Sequence, residues 1–119
     1  MNYGTYMHYL FEVTDFKNPK TTNKQVLDFI SKLDLNCKIY KEYEFMYEKE
    51  NEVFHGIIDL MLVYENYIDI IDYKLKNIND DSYKKQLLGY KNYIEKKLNK
   101  KVNTYLYSIY EEKLIKVVD

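Results

Sequence analysis

The sequence predicts a mixed α/β domain in which two helices, three strands, a third helix and two more strands follow in order (ααβββαββ). Three observations carry this. Two adjoining stretches, 54–64 and 67–74, are rich in Ile, Val, Leu and Tyr, the pattern of central strands covered on both faces. Apolar residues recur at helical spacing on either side of them. The 119 residues suit one core, because two would each bury too little surface; residues 1–119 are therefore read as a single domain.

Each element has its own signal. Residues 4–14 read as a short helix, with Met7, Leu10 and Phe11 at helical spacing behind Gly4-Thr5. The only proline, Pro19, lies in the polar stretch 17–23, a loop. Asn23 is placed to cap a second helix carrying Val26, Leu27, Ile30 and Leu33 on one face. From 37 to 47 the period becomes two: Cys37, Ile39, Tyr43, Phe45 and Tyr47 share one face, and Lys38, Glu42, Glu44 and Glu48 the other. A polar turn at 49–52 leads into the two apolar strands, which join around Glu65-Asn66. Asp80 or Asp81 starts a helix to about Leu98, with Tyr83, Leu87, Tyr90, Ile94 and Leu98 as its core face and Asn99 as its stop. Strands at 102–110 and 114–118 complete the chain.

Composition excludes several classes. No apolar run approaches the roughly 18 residues of a membrane span, and no cleavable secretory leader is visible, so the expectation is a cytoplasmic protein with no membrane partner. One cysteine, Cys37, excludes an internal disulfide and any four-cysteine metal site. The net charge of -1 argues against a generally polybasic protein. It conceals an asymmetry, however. Residues 1–73 hold 7 lysines and 13 acids, whereas residues 74–116 hold 11 lysines and 5 acids. One half can concentrate carboxylates while the other meets a polyanion.

The chemistry lies where polar residues interrupt the two most apolar strands. Asp59 breaks the run Gly56-Ile57-Ile58-Asp59-Leu60-Met61, and Asp72 and Lys74 break Ile70-Ile71-Asp72-Tyr73-Lys74. If the turn is centred between Glu65 and Asn66, residues whose numbers sum to 131 face each other, which sets Asp59 opposite Asp72. Lys74 then projects from the same face as Asp72. Opposed carboxylates about 5 Å apart repel by roughly 3 kcal/mol at an effective dielectric near 20. Such a pair persists if one member keeps a proton or if a cation sits between them. Oxygen ligands on a rigid scaffold suit Mg²⁺ or Mn²⁺, and a neighbouring lysine can stabilise developing negative charge. The arrangement suits metal-assisted attack of water on a phosphodiester. A loop one residue longer or shorter would shift the register and separate the aspartates, leaving an ordinary edge-strand salt bridge.

These residues resemble the PD-(D/E)XK nuclease signature in its RecB-like branch. Gly56-Ile57-Ile58-Asp59 and Ile71-Asp72-Tyr73-Lys74 carry the resemblance. Gly4-Thr5-Tyr6-Met7-His8 is similar to the branch's N-terminal motif, and Gln86-Leu87-Leu88-Gly89-Tyr90 to its Gln-x-x-x-Tyr motif. Glu42-Tyr43-Glu44-Phe45 resembles its Glu-x-Pro-Phe segment, with Glu44 in place of the proline. Taken in order, the pieces are similar to the nuclease domain of AddA-type helicase–nucleases.

The resemblance implies a restriction-endonuclease-like core, a mixed central sheet flanked by helices. It implies a Mg²⁺- or Mn²⁺-dependent DNA nuclease of exonuclease type, acting in repair or recombination alongside a helicase subunit or domain. His8, Asp59, Asp72 and the Tyr73 carbonyl would hold the metal, and Lys74 would be the catalytic lysine. Gln86 and Tyr90, four residues apart on one helix face, would steady the site. Lys84, Lys85 and Lys91 are candidates for phosphate contact on DNA. Leu75-Lys76-Asn77 replaces the usual threonine after the lysine, and no helicase motif is present.

Without the resemblance these residues have plainer readings. A lone histidine in a short helix is structural or exposed, Tyr90 is core packing, Gln86 is a solvated helix residue, and the lysines are a solvated face. The rival to an enzyme is a non-catalytic DNA-binding or structural module of a repair complex that keeps the nuclease fold.

Overall fold

The computed structural model describes residues 2–75 and 79–118. Helix α1 (Tyr3–Val13) starts at Asn2, whose side-chain oxygen accepts the Thr5 amide at 2.8 Å. Helix α2 (Lys24–Ser31) starts at Asn23, which accepts the Val26 amide at 3.0 Å. Both caps satisfy amides that a helix start leaves open. Strand β1 (Lys38–Lys49) turns through Glu50 and Asn51, with φ of 54° and 65°, into β2 (Glu52–Val63). Two positive φ values at a two-residue turn match the right-handed twist of the flanking strands. Strand β3 (Tyr67–Lys74) leads to α3 (Asp81–Leu98), which opens on Asp80 and closes on Asn99 in the left-handed conformation (φ 51°). Strands β4 (Lys101–Ser108) and β5 (Lys113–Val117) follow.

The five strands form one sheet in the order β1-β2-β3-β4-β5. It is mixed: β3 and β4, joined through α3, run parallel, and the other neighbours are antiparallel. The expected register holds, since Leu60 faces Ile71 and Val63 faces Ile68, each pair summing to 131. On one sheet face, Met7 and Phe11 of α1 and Val26 and Phe29 of α2 pack on Leu60, Leu62, Ile71, Tyr73 and Tyr107. On the other, Leu87, Tyr90 and Ile94 of α3 pack on Ile58, Met61, Ile68, Ile70 and Leu106. Coverage on both sides explains why β2 and β3 read as nearly continuous apolar runs. No helix among the described residues is long and apolar enough to cross a membrane.

Two expected faces need correction. Leu27 is 38% exposed and Leu98 is 37% exposed, while Phe29 takes the core position on α2. More consequentially, the expected single face of β1 is divided. Cys37 and Ile39 pack with α1 and α2, whereas Tyr43, Phe45 and Tyr47 pack with α3. Strand β2 changes sides at the same level, with Leu60 and Leu62 on the first face and Ile58 on the second. The reversal falls at Glu42, which has φ 50°, and at Asp59 across from it, the one rung missing between Lys41–Leu60 and Tyr43–Ile58. A left-handed residue inside a strand breaks its alternation, and nothing in the composition of 37–47 announces one.

Candidate active site at the sheet fork

Strands β2 and β3 share only the rungs from Leu60–Ile71 to Val63–Ile68. Beyond them β2 stays with β1 and β3 stays with β4, so a fork opens at Asp59 and Asp72. Backbone groups at a fork lose their ladder partners and need others. The Asp59 carboxylate supplies one: its Oδ2 accepts the Tyr73 amide at 2.8 Å. Its Oδ1 lies 3.1 Å from Nε2 of His8, which α1 brings over the fork. Met7 and Phe11 anchor that helix in the core, and Tyr73 packs edge-on against the His8 ring at 5.4 Å between centroids. Asp59 therefore lies between the layers and bridges α1 to β3.

Asp72 and Lys74 project together, as their spacing predicts. Lys74 Nζ is 3.1 Å from Asp72 Oδ2 and 4.3 Å from the centre of the Tyr83 ring. The ion pair is close, but its angles miss hydrogen-bond geometry, and that buried Asp72 oxygen has no hydrogen-bond partner among the described residues. A buried carboxylate oxygen without a donor is costly unless a proton or a cation reaches it. Tyr83, a core-packing residue by its spacing, thus also contacts the lysine.

Glu42 joins the cluster because of the strand reversal. His8, Glu42 and Asp59 each offer a ligand atom, and the three atoms lie within 4.8 Å of one another. Their electrostatics are those of carboxyl groups sharing protons. Burial, then the neighbouring Asp59, pushes Asp72 up to about 8, against the opposing pull of Lys74. Burial and Asp59 likewise push Glu42 up to about 7. Burial also works to raise Asp59, but hydrogen bonds with His8, Asp72 and the Tyr73 amide outweigh it and hold Asp59 below its ordinary value. His8 is raised, first by its bond to Asp59. Burial alone would lower Lys74, yet the Asp72 carboxylate more than offsets it. A mixed oxygen and imidazole set with one unsatisfied oxygen fits a divalent cation such as Mn²⁺ or Mg²⁺.

The remaining sequence-derived residues divide. Tyr90 is buried, edge-on to Phe45 at 5.1 Å, and its hydroxyl meets the backbone of Ile57 two residues before Asp59. Gln86 is exposed, and its side chain makes no hydrogen bond among the described residues. Lys84 and Lys85 follow Tyr83 on the first turns of α3. Lys91 lines a separate groove with Lys101 and Lys116 at the β4–β5 edge. Lys76 and Asn77 lie outside the described residues.

A five-stranded mixed sheet between α1–α2 and α3, forked at paired aspartates with a lysine beside them, defines a restriction-endonuclease-like α/β fold. A crystal structure of a candidate exonuclease from Eubacterium rectale has the same fold: TM-score 0.54, 17% identity, 98% of this chain and 57% of that one covered. The chain is also 38% identical to an ATP-dependent helicase/nuclease protein of Clostridium beijerinckii, over 72% of this chain and 9% of that one. It spans less than a tenth of that relative's length. No family model matches it. The chain belongs to the RecB-like branch of the PD-(D/E)XK nuclease superfamily, with AddA-type sequence similarity.

Proposed function

We propose that residues 1–119 form a single nuclease domain that hydrolyses phosphodiester bonds of DNA with Mn²⁺ or Mg²⁺, as an exonuclease-type module in repair or recombination. The observation that carries this reading is the meeting of His8, Glu42, Asp59 and Asp72 around one fork, with a buried oxygen of Asp72 left without a donor. His8, Asp59, Asp72 and the Tyr73 carbonyl would hold the cation, and Glu42 adds a fifth candidate ligand. The metal would supply Lewis acidity and a water of lowered pKa.

The chain's own residues do the rest. Asp59 fixes the His8 ring, and His8 holds Asp59 ionised by donating to it. Asp72 keeps Lys74 charged, so its ammonium can face the negative charge that develops on the phosphoryl oxygens. Tyr83 lies under that ammonium and limits its rotamers. Tyr90 supports the β2 segment leading into Asp59. Lys84 and Lys85 would meet phosphates near the cleft, and Gln86, exposed on the same helix, would act only with substrate bound. Lys91 would contact more distant phosphates. The relative's name joins a helicase to a nuclease, which supports a helicase subunit or domain as the partner.

The test is digestion of linear single- and double-stranded DNA with Mn²⁺ and with EDTA. The reading expects degradation that EDTA abolishes; no degradation with either metal would leave the DNA-binding module instead.

A further inference from the structure

We propose that Tyr9 and Tyr6, on the outer face of α1, form a stacking subsite for the bases of an unpaired nucleic-acid strand running into the cleft. This rests on the phosphodiester reading above and adds residues that no part of that reading uses.

Most of the chain's tyrosines are engaged. Tyr73, Tyr90, Tyr107 and Tyr93 lie in aromatic clusters, Tyr64 stacks on Tyr67, and Tyr3 bonds to Gln25. Tyr9 is 50% exposed and Tyr6 is 44% exposed, and neither has a ring contact or side-chain hydrogen bond among the described residues. An exposed ring without a partner keeps apolar surface in water, which marks it as a contact surface when it borders a site.

Tyr9 does border one. It lines a cavity of about 530 Å³ together with His8, Tyr73 and Lys74, a volume in the range of small-ligand sites. Tyr6 stands three residues earlier, one turn along the same helix face, and continues the aromatic surface away from that cavity. The wall they share suits a base better than a phosphate. Its other α1 residues are Gly4, Thr5 and Glu12, and Lys74 is the only lysine lining the cavity among the described residues. A flat ring needs no charge to hold a base, but the base must present its face, which a duplex hides.

The experiment is fluorescence anisotropy of labelled oligothymidylate and of a blunt duplex of equal length, with Ca²⁺ in place of Mn²⁺ to keep strands intact. Tyr9→Ala should weaken single-strand binding roughly tenfold or more, and Tyr6→Ala by less. Tyr9→Phe should bind like the parent, since only the ring is required. Duplex binding and Tyr40→Ala, an exposed tyrosine of β1 away from the cavity, should be unchanged. Single-strand binding that survives Tyr9→Ala overturns the proposal, as does equal loss on duplex or equal loss in Tyr9→Phe. Tyr9-dependent self-association in sedimentation, with nucleic-acid binding untouched, also overturns it and assigns the stripe to protein contact. Failure of the parent protein to digest any DNA is a different result and bears on the nuclease reading.

Discussion

The Asp59 carboxylate accepts the Tyr73 amide at 2.8 Å, at the level where strands β2 and β3 part. One side chain therefore closes the end of a ladder and forms the centre of the site. The two roles separate by substitution. Asp59→Asn keeps an oxygen acceptor for the amide but loses the charge, so it should fold with nearly parental stability and lose Mn²⁺ affinity. Asp59→Ala leaves the amide unpaired and should cost about 1–3 kcal/mol in urea unfolding. Equal stability of the two variants would show that the amide bond contributes nothing.

Proton sharing at the fork predicts a pH dependence with a definite sign. In the folded protein Asp72 titrates at about 8 and Glu42 at about 7, above the ordinary carboxylate range, through burial and Asp59. Between that ordinary range and about pH 8 the native state binds more protons than the unfolded chain, so metal-free stability falls as pH rises. Asp72→Asn should raise Tm at pH 8 by several degrees and flatten that fall. Mn²⁺ binding must displace the same protons, so affinity should climb from pH 6 to pH 8, with proton release measurable by calorimetry in buffers of different ionisation enthalpy.

Tyr73 carries a buried hydroxyl without a hydrogen-bond partner among the described residues, on a ring stacked at 4.6 Å against Phe11. Tyr73→Phe removes the unsatisfied group and keeps the stack, so stability should stay level or rise by up to about 1 kcal/mol. Tyr73→Ala should cost about 3–5 kcal/mol and free the His8 ring, a loss visible as a changed histidine NMR signal.

Gly56 is required by packing. A Cβ there would stand 2.4 Å from the Phe45 ring, which is itself buried at 5% exposure among α3 residues. Gly56→Ala should destabilise by about 1–3 kcal/mol, and Phe45→Leu in the same chain should recover part of that.

Much of this site is legible in the sequence, for identifiable reasons. Asn23 and Asn99 mark helix ends because their side chains and left-handed tolerance are local properties. The pairing of β2 with β3 follows from turn position, which fixes Asp59 and Asp72 at one level. Simple alternation puts Glu42 on the wrong face. Its left-handed φ is imposed by the fork and by Asp59 across from it, and a glutamate among alternating residues carries no sign of that. Tyr83 reads as core packing because helical spacing tells which face a ring occupies, and not that a lysine from β3 rests on it. Tyr90 keeps its expected place, whereas Gln86 in the same motif is solvated.

The central claim is that the fork holds a cation for phosphodiester hydrolysis and that Lys74 acts on the reacting phosphate. The most direct measurement pairs Mn²⁺ calorimetry with digestion of end-labelled linear DNA for the parent protein, Lys74→Ala and Asp59→Asn. The account predicts that Asp59→Asn loses both binding and cleavage, while Lys74→Ala still binds Mn²⁺ and cleaves at least about 100-fold more slowly. Cleavage that persists in Lys74→Ala, or in the parent protein with EDTA, would contradict it.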